Sequence, residues 1–290
     1  MQNYVISCCS TADLTREHFE RRNINFAYFH YYVDDVEYSD DLGISQSIED
    51  FYNAMRNGSL TRTSQINADE FVEYFSKFLK EGKDVLHVST SSGISGVYNS
   101  AIIARDILAE QFPDRRVIVI DSLCAASGYG MLMDDVADKR DEGLSLDELA
   151  EWTEERKKHV KHWFFSSDLT HFVRGGRISK VSGFIGTILK ICPLMCVTED
   201  GKLEPKEKHR TTGNAIKAAF GKMVAEAENG TDYNGKCYIS HSSCEGDAIK
   251  LKDMIEDSFP ALKGKVQIMS IGTTIGSHTC PGTVALFFNS

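Results

Sequence analysis

Val85-Leu86-His87-Val88, then Ser89-Thr90-Ser91-Ser92-Gly93-Ile94-Ser95-Gly96, then the run from Tyr98 to Glu110, decide the fold. A block of four residues is too short for a buried helix. The apolar positions after Tyr98 recur at helical spacing, so the unit reads as strand, polar loop, helix. The alternation extends both ways. Tyr4 to Cys8, Phe26 to Tyr32 and Val117 to Ile120 read as further strands; Ile48 to Arg56, Phe71 to Lys80 and Ala125 to Arg140 read as helices. Two helix starts carry capping chemistry: Asn67 precedes Glu70 by three and Ser145 precedes Glu148 by three, so each side chain can satisfy the other's free amide. Strands alternating with helices predict a parallel sheet covered on both faces.

The helix opening at Ser145 is densely charged through Glu154-Glu155-Arg156-Lys157-Lys158 and gives way at His162 to Trp163-Phe164-Phe165. That change sets the expected boundary between an N-terminal lobe (1–161) and a C-terminal lobe (162–290); a chain of 290 residues also exceeds what one core usually fills. Beyond the boundary the order is looser. Phe184 to Ile191 reads as a helix, Leu194 to Val197 as a strand, Glu199-Asp200-Gly201-Lys202 as a hairpin turn, and about 213–228 as a helix. Cys237 to His241, a helix over about 245–257, Val266 to Ile271 and Val284 to Phe288 complete the lobe. The expected fold class is α/β in two lobes: a three-layer α/β/α lobe on a parallel sheet, then an α/β lobe on a mixed sheet.

A net charge of −10 without a Lys/Arg cluster argues against nucleic acid as a partner and against more than transient contact with an anionic membrane. Met1 to Asp13 runs into a strand and turn rather than a leader, and no apolar run approaches the roughly 20 residues of a spanning helix, so a cytoplasmic location is expected. The eight cysteines contain no Cys-x-x-Cys and are expected reduced. Cys8, Cys9, Cys124 and Cys280, with His278, are metal-ligand types, but cysteine is also a common small buried residue, and no metal is expected.

Ligands of open parallel sheets bind beyond the carboxyl ends of the strands. Three such places are polar: Ser10-Thr11-Ala12-Asp13, Ser89 to Gly96, and Asp121-Ser122. In the second, hydroxyls and free amides around Ser95, Gly96 and Val97 can converge on one anion. Neither phosphate fingerprint follows: there is no Gly-Lys-Ser/Thr after the glycines and no Gly-x-Gly-x-x-Gly after the first strand. Gly272 to Gly282 reads as a polar turn between two strands and offers His278 and Thr279 as donors. Thr63-Ser64-Gln65 after Arg62 and the basic turn Arg174-Gly175-Gly176-Arg177-Ile178-Ser179 are two more polar runs. A Ser/His hydrolase would draw on Ser95, His278 and Asp121, but the run Gly93-Ile94-Ser95-Gly96-Val97 lacks the Gly-x-Ser-x-Gly elbow. A ligand-sensing regulatory module needs no more than a binding pocket and stays open.

Taken in order, Ser10-Thr11-Ala12-Asp13-Leu14, Thr63-Ser64-Gln65, Ser91 to Tyr98, Asp121-Ser122, Gly175 to Ser179, Lys208-His209-Arg210-Thr211 and Ile275 to Thr279 resemble the DegV family of bacterial fatty-acid-binding proteins. The resemblance implies two α/β lobes around a long-chain fatty acid. Thr63 and Ser95 would hold its carboxylate, with Gly96, His278 and Thr279 close by and Ser10, Thr11, Ser92 and Asp121 as neighbouring polar groups. It further implies a non-catalytic carrier that needs no cofactor and presents its ligand to an ATP-dependent fatty acid kinase, with Arg177 and Arg210 as surface positions meeting that partner. Against the family's usual pattern Cys9 stands in place of Asp, Ile66 in place of Pro and Cys280 in place of Gly. Each buried CH₂ contributes about 0.8 kcal/mol and each head-group hydrogen bond about 1 kcal/mol, so the tail anchors and the head orients.

Overall fold

The computed structural model describes residues 3–178 and 191–290. Ser179 and the helix read over Phe184 to Ile191 lie, but for Ile191 itself, outside the described residues.

The strands, in chain order, are β1 (Tyr4–Cys9), β2 (Asn25–Ala27), β3 (His30–Val33), β4 (Val36–Ser39), β5 (Thr61–Ser64), β6 (Asp84–Ser89), β7 (Val117–Asp121), β8 (Val160–Ser166), β9 (Cys192–Val197), β10 (Leu203–His209), β11 (Tyr238–His241), β12 (Gln267–Ser270) and β13 (Thr283–Asn289). The helices are α1 (Arg16–Arg21), α2 (Ile48–Arg56), α3 (Ala68–Lys80), α4 (Val97–Gln111), α5 (Ala126–Asp141), α6 (Leu146–Arg156), α7 (Thr170–Arg174), α8 (Thr212–Glu226), α9 (Glu245–Ser258) and α10 (Thr273–Thr279). A four-stranded parallel sheet has the order β2-β1-β6-β7. A six-stranded sheet, β10-β9-β8-β13-β11-β12, is antiparallel except between β11 and β12. A small antiparallel sheet, β4-β3-β5, stands beside them. The chain is thus α/β, with one parallel and one mixed sheet.

Local chemistry accounts for the elements that carry the lobes. Phe71, Phe75 and Leu79 repeat every four residues and form the buried stripe of α3, and Phe71 and Phe75 meet His87 of β6 at ring-centroid distances of 5.1 and 5.2 Å. The capping box at Asn67 closes with bonds of 2.7 and 3.0 Å to Glu70, and the one at Ser145 with 2.8 and 3.4 Å to Glu148. Helix α5 is a middle layer, with thirteen of its sixteen residues buried. On one side the Tyr129 hydroxyl accepts from Cys9 N at 2.9 Å and donates to Val88 O. On the other, Gly128 faces the six-stranded sheet so closely that a Cβ there would lie 2.4 Å from His162 Nε2 and from Phe287.

Two stretches differ from the sequence reading. Phe26 to Tyr32 is not one strand: after β2 the Phe29 N–H donates to Ser10 Oγ (3.1 Å), the Phe29 carbonyl accepts from Asp40 N (2.8 Å), and the chain leaves the parallel sheet to start β3. Gly272 to Gly282 is not merely a turn, because Thr273–Thr279 forms α10. It is secured by Gly276 N to Gly272 O (2.7 Å) and Ser277 Oγ to Thr273 O (2.8 Å), and tied to remote residues by Thr273 Oγ1 to Asp40 Oδ1 (2.9 Å).

Candidate ligand-binding site

A cavity with about 780 Å³ of empty space, open mouth included, lies where α5, the inner face of the six-stranded sheet and α10 meet. Most of its wall is apolar: Phe29, Ile94, Phe164, Phe172, Val197, Leu203, Ile271 and Phe287. Thr63, Ser95, His278, Thr279 and Arg177 line the same cavity and supply its polar groups, with Thr11 and Thr90 joined to each other at 2.5 Å.

The head of the cavity comes from three separate elements. Strand β5 runs along α10, held by Thr61 Oγ1 to Ser277 O at 3.2 Å, and this sets Thr63 Oγ1 2.8 Å from His278 Nε2. The other edge of the imidazole rests on Gly175, where a Cβ would stand 2.3 Å from His278 Nδ1, so only glycine fits. Burial, then the neighbouring Arg177, His171 and Arg174, which disfavour a further positive charge, hold His278 down to about 3, so the ring is neutral at physiological pH. Ser95 heads the third element. Its N–H donates to Ser91 O (3.2 Å) and its Oγ accepts from Val97 N (3.2 Å), which leaves the hydroxyl proton for a ligand. Gly96 lets Gln65 approach, since a Cβ would meet Gln65 Oε1 at 2.7 Å. The whole loop is seated on the β9–β10 turn, with Ser91 Oγ donating to Gly201 O at 2.8 Å. Thr279 Oγ1 is buried without a hydrogen-bond partner among the described residues.

Other candidate residues sit elsewhere. Ser10 Oγ donates to Asp40 Oδ2 (3.1 Å), and Asp121 Oδ1 accepts from the amides of Ser92 and Leu123 (both 3.1 Å), so these groups tie loops together. Among the described residues no hydrogen bond joins Ser95 to His278 or His278 to Asp121. Arg177 is only partly exposed: its Nε donates to Ile94 O (3.1 Å) and its Nη1 to Gly175 O (2.6 Å), on the cavity wall. Arg210 is exposed just after β10. Cys8, Cys9, Cys124 and Cys280 are buried, burial pushes their thiols up, and no cluster of three metal-ligating side chains occurs among the described residues. Outside the head, Arg62, Arg174, Arg177 and His171, with Asp34 and Asp35, line an open groove that shares Thr63 and His278 with the cavity.

The family described as "Uncharacterised protein, DegV family" matches residues 6–290. A DegV domain-containing protein of Clostridium perfringens is 35% identical over 288 residues, 99% of this chain and 98% of its own. The chain belongs to the DegV family. Among solved DegV-like structures, a Thermotoga maritima protein described as revealing fatty acid binding function is 26% identical, with a TM-score of 0.83 over 99% of both chains. The Streptococcus pneumoniae fatty acid kinase B3 protein, solved loaded with linoleic acid, shares the fold at 23% identity and a TM-score of 0.83, covering 100% of this chain and 99% of its own. Within this DegV chain no helix of the described residues is long and apolar enough to cross a membrane.

Proposed function

We propose that this protein binds one long-chain fatty acid, its tail among Phe29, Phe164, Phe172 and Phe287 and its carboxylate at Thr63, Ser95, His278 and Thr279. The observation that carries the reading is one mainly apolar cavity whose wall also holds the Thr63–His278 pair, Ser95 and Thr279. A neutral imidazole and hydroxyls orient a carboxylate without a full ion pair, which leaves its oxygens nucleophilic. The Thermotoga maritima relative, described as binding fatty acid, supports the ligand class. The chain itself performs no covalent step in this reading. A partner kinase would reach the carboxylate through the basic groove of Arg62, Arg174 and Arg177, with Arg210 on the surface beyond; the name of the Streptococcus pneumoniae neighbour supports that partnership. Mass spectrometry of acid released on denaturing extraction tests the ligand: a long-chain acid at about one per chain is expected, reduced in Ser95→Ala. Protein that is lipid-free as purified and does not take up added palmitate refutes the proposal.

A further inference from the structure

The six-stranded sheet forks beside the cavity. The β8–β9 ladder pairs Phe165 with Leu194, Phe164 with Met195 and Trp163 with Cys196, and ends there. Yet β8 continues back to Val160 along β13, and β9 runs on to Val197, where it pairs with Leu203. His162 and Val197, the next residues on the two strands, therefore flank an opening instead of closing it. The same two residues line both the inner apolar cavity and an open depression on the outside, walled by Lys161, Trp163, Cys196, Glu204 and Glu226.

His162 is fixed in that fork. Its Nδ1 lies 3.1 Å from Val160 O, its Nε2 accepts from Ala125 N at 3.4 Å, and its ring stands edge-on to Phe287 at 5.2 Å. Both nitrogens are engaged by backbone, so the ring offers carbon to the cavity. The missing side chain at Gly128 makes room for it. Burial holds it down to about 4, so it adds no charge to an apolar wall.

We infer that the fork is the tail end of the fatty-acid site, with His162 as the stop that sets the longest acyl chain the cavity accepts. The inference rests on the proposed lipid function and adds a specificity-determining residue to it. An acid too long for the cavity either folds back or pushes past the imidazole into the outer depression. Removing the imidazole opens that route, and a longer chain then buries more methylenes.

The test loads delipidated full-length protein with an equimolar mixture of palmitic, stearic and icosanoic acids and reads the retained acids by mass spectrometry. Each further buried methylene is worth about a fourfold gain in affinity, so if His162→Ala lets two more methylenes be buried, the retained icosanoic-to-palmitic ratio should rise by roughly fifteenfold. Val197→Ala, on the opposite strand of the fork, should raise it by a smaller factor and serves if His162→Ala does not fold. His162→Phe should lower it. Unchanged ratios in folded variants that still hold wild-type amounts of acid overturn the stop and leave the lipid reading intact. A wild-type protein that retains none of the acids overturns both.

Discussion

Two polar clusters bridge the same pair of lobes, one built of paired charges, the other of neutral groups with bonding capacity to spare. In the first, Asp134 of α5 accepts from His18 Nε2 (3.1 Å) and the Tyr238 hydroxyl (2.9 Å), with Arg22 Nε at 3.0 Å and Lys236 Nζ at 3.2 Å. Lys236 also reaches Asp135 at 2.9 Å and Asp138 at 2.5 Å. In the second, Thr63, Ser95, His278 and Thr279 carry no formal charge, and the Arg177 cation on the same wall is bonded to the Ile94 and Gly175 carbonyls; the Thr279 hydroxyl is buried and unbonded, and Ser95 has a proton left to donate. A cluster in which charge answers charge fixes the lobes, whereas one with unanswered hydroxyls beside an apolar cavity is built for a ligand.

The largest effect should come from breaking the charged cluster. Asp134→Ala strips His18, Tyr238, Arg22 and Lys236 of their common buried acceptor and leaves the two cations to Asp138 and Asp135, and removing one partner from a buried ionic network typically destabilises by about 3–5 kcal/mol. Urea unfolding of the ligand-free protein should show that loss, while fatty-acid retention in the folded variant stays near wild type. A loss below about 1 kcal/mol would place Asp134 with ordinary surface ion pairs and erase the contrast.

Stripping the ligand should come next, acting through the neutral cluster alone. Ligand at a hundred times its dissociation constant stabilises by about 2.7 kcal/mol, so extraction of the acid should lower stability by about that amount and re-addition should restore it. The same increment is expected in Asp134→Ala. An increment that vanishes in this variant would mean that the two clusters act as one.

The clusters should also differ in the pH at which they weaken. His278 is held down to about 3 when folded, against about 6.5 in an unfolded chain. Its contribution is therefore complete above about pH 6.5 and is lost as pH falls toward about 3, because the unfolded chain takes the proton that the folded one refuses, by up to about 1.4 kcal/mol per pH unit. His87 and His162, buried and held down to about 3 and about 4, act with the same sign. His278→Gln should remove one proton's share of the slope between about pH 6 and 4.5 in ligand-free protein. Asp134 lies below the usual carboxylate range through its bonds to His18, Lys236 and Tyr238, against desolvation as the largest opposing effect. Its contribution holds above about pH 4 and fails only below, so Asp134→Asn should leave the higher window unchanged.

How legible these regions were in the sequence follows from how local their causes are. The capping boxes at Asn67 and Ser145, the stripe of α3 and the Glu199-to-Lys202 hairpin depend on residues a few positions apart, and each forms as its pattern predicts. The break at Phe29 depends on Ser10 and Asp40, and α10 depends on Asp40 as well as on its own short helix, so neither could be seen from neighbouring residues. Thr63, Ser95, His278 and Thr279 stand out as polar runs and share one cavity in the fold. The cavity's Phe29, Phe164 and Phe172 gave no signal, since an apolar side chain facing a void has the same sequence pattern as one facing a core. The Asp134 cluster was missed because its partners lie on α1, α5 and the approach to β11.

The smallest expected effect probes the neutral cluster most directly. Thr63→Val keeps the shape of the side chain and removes its hydroxyl, so His278 Nε2 loses its 2.8 Å partner and a bound carboxylate loses one donor. One hydrogen bond contributes about 1 kcal/mol, so palmitate affinity by isothermal calorimetry should fall about fivefold. Stability of the ligand-free protein should change little, because the freed imidazole nitrogen faces a cavity in which water can replace the hydroxyl. If Thr63→Val lowers ligand-free stability by several kcal/mol, the Thr63–His278 pair belongs with Asp134 as a clasp. If affinity falls while stability holds, the pair serves the ligand, as its spare donors and neutral charge require.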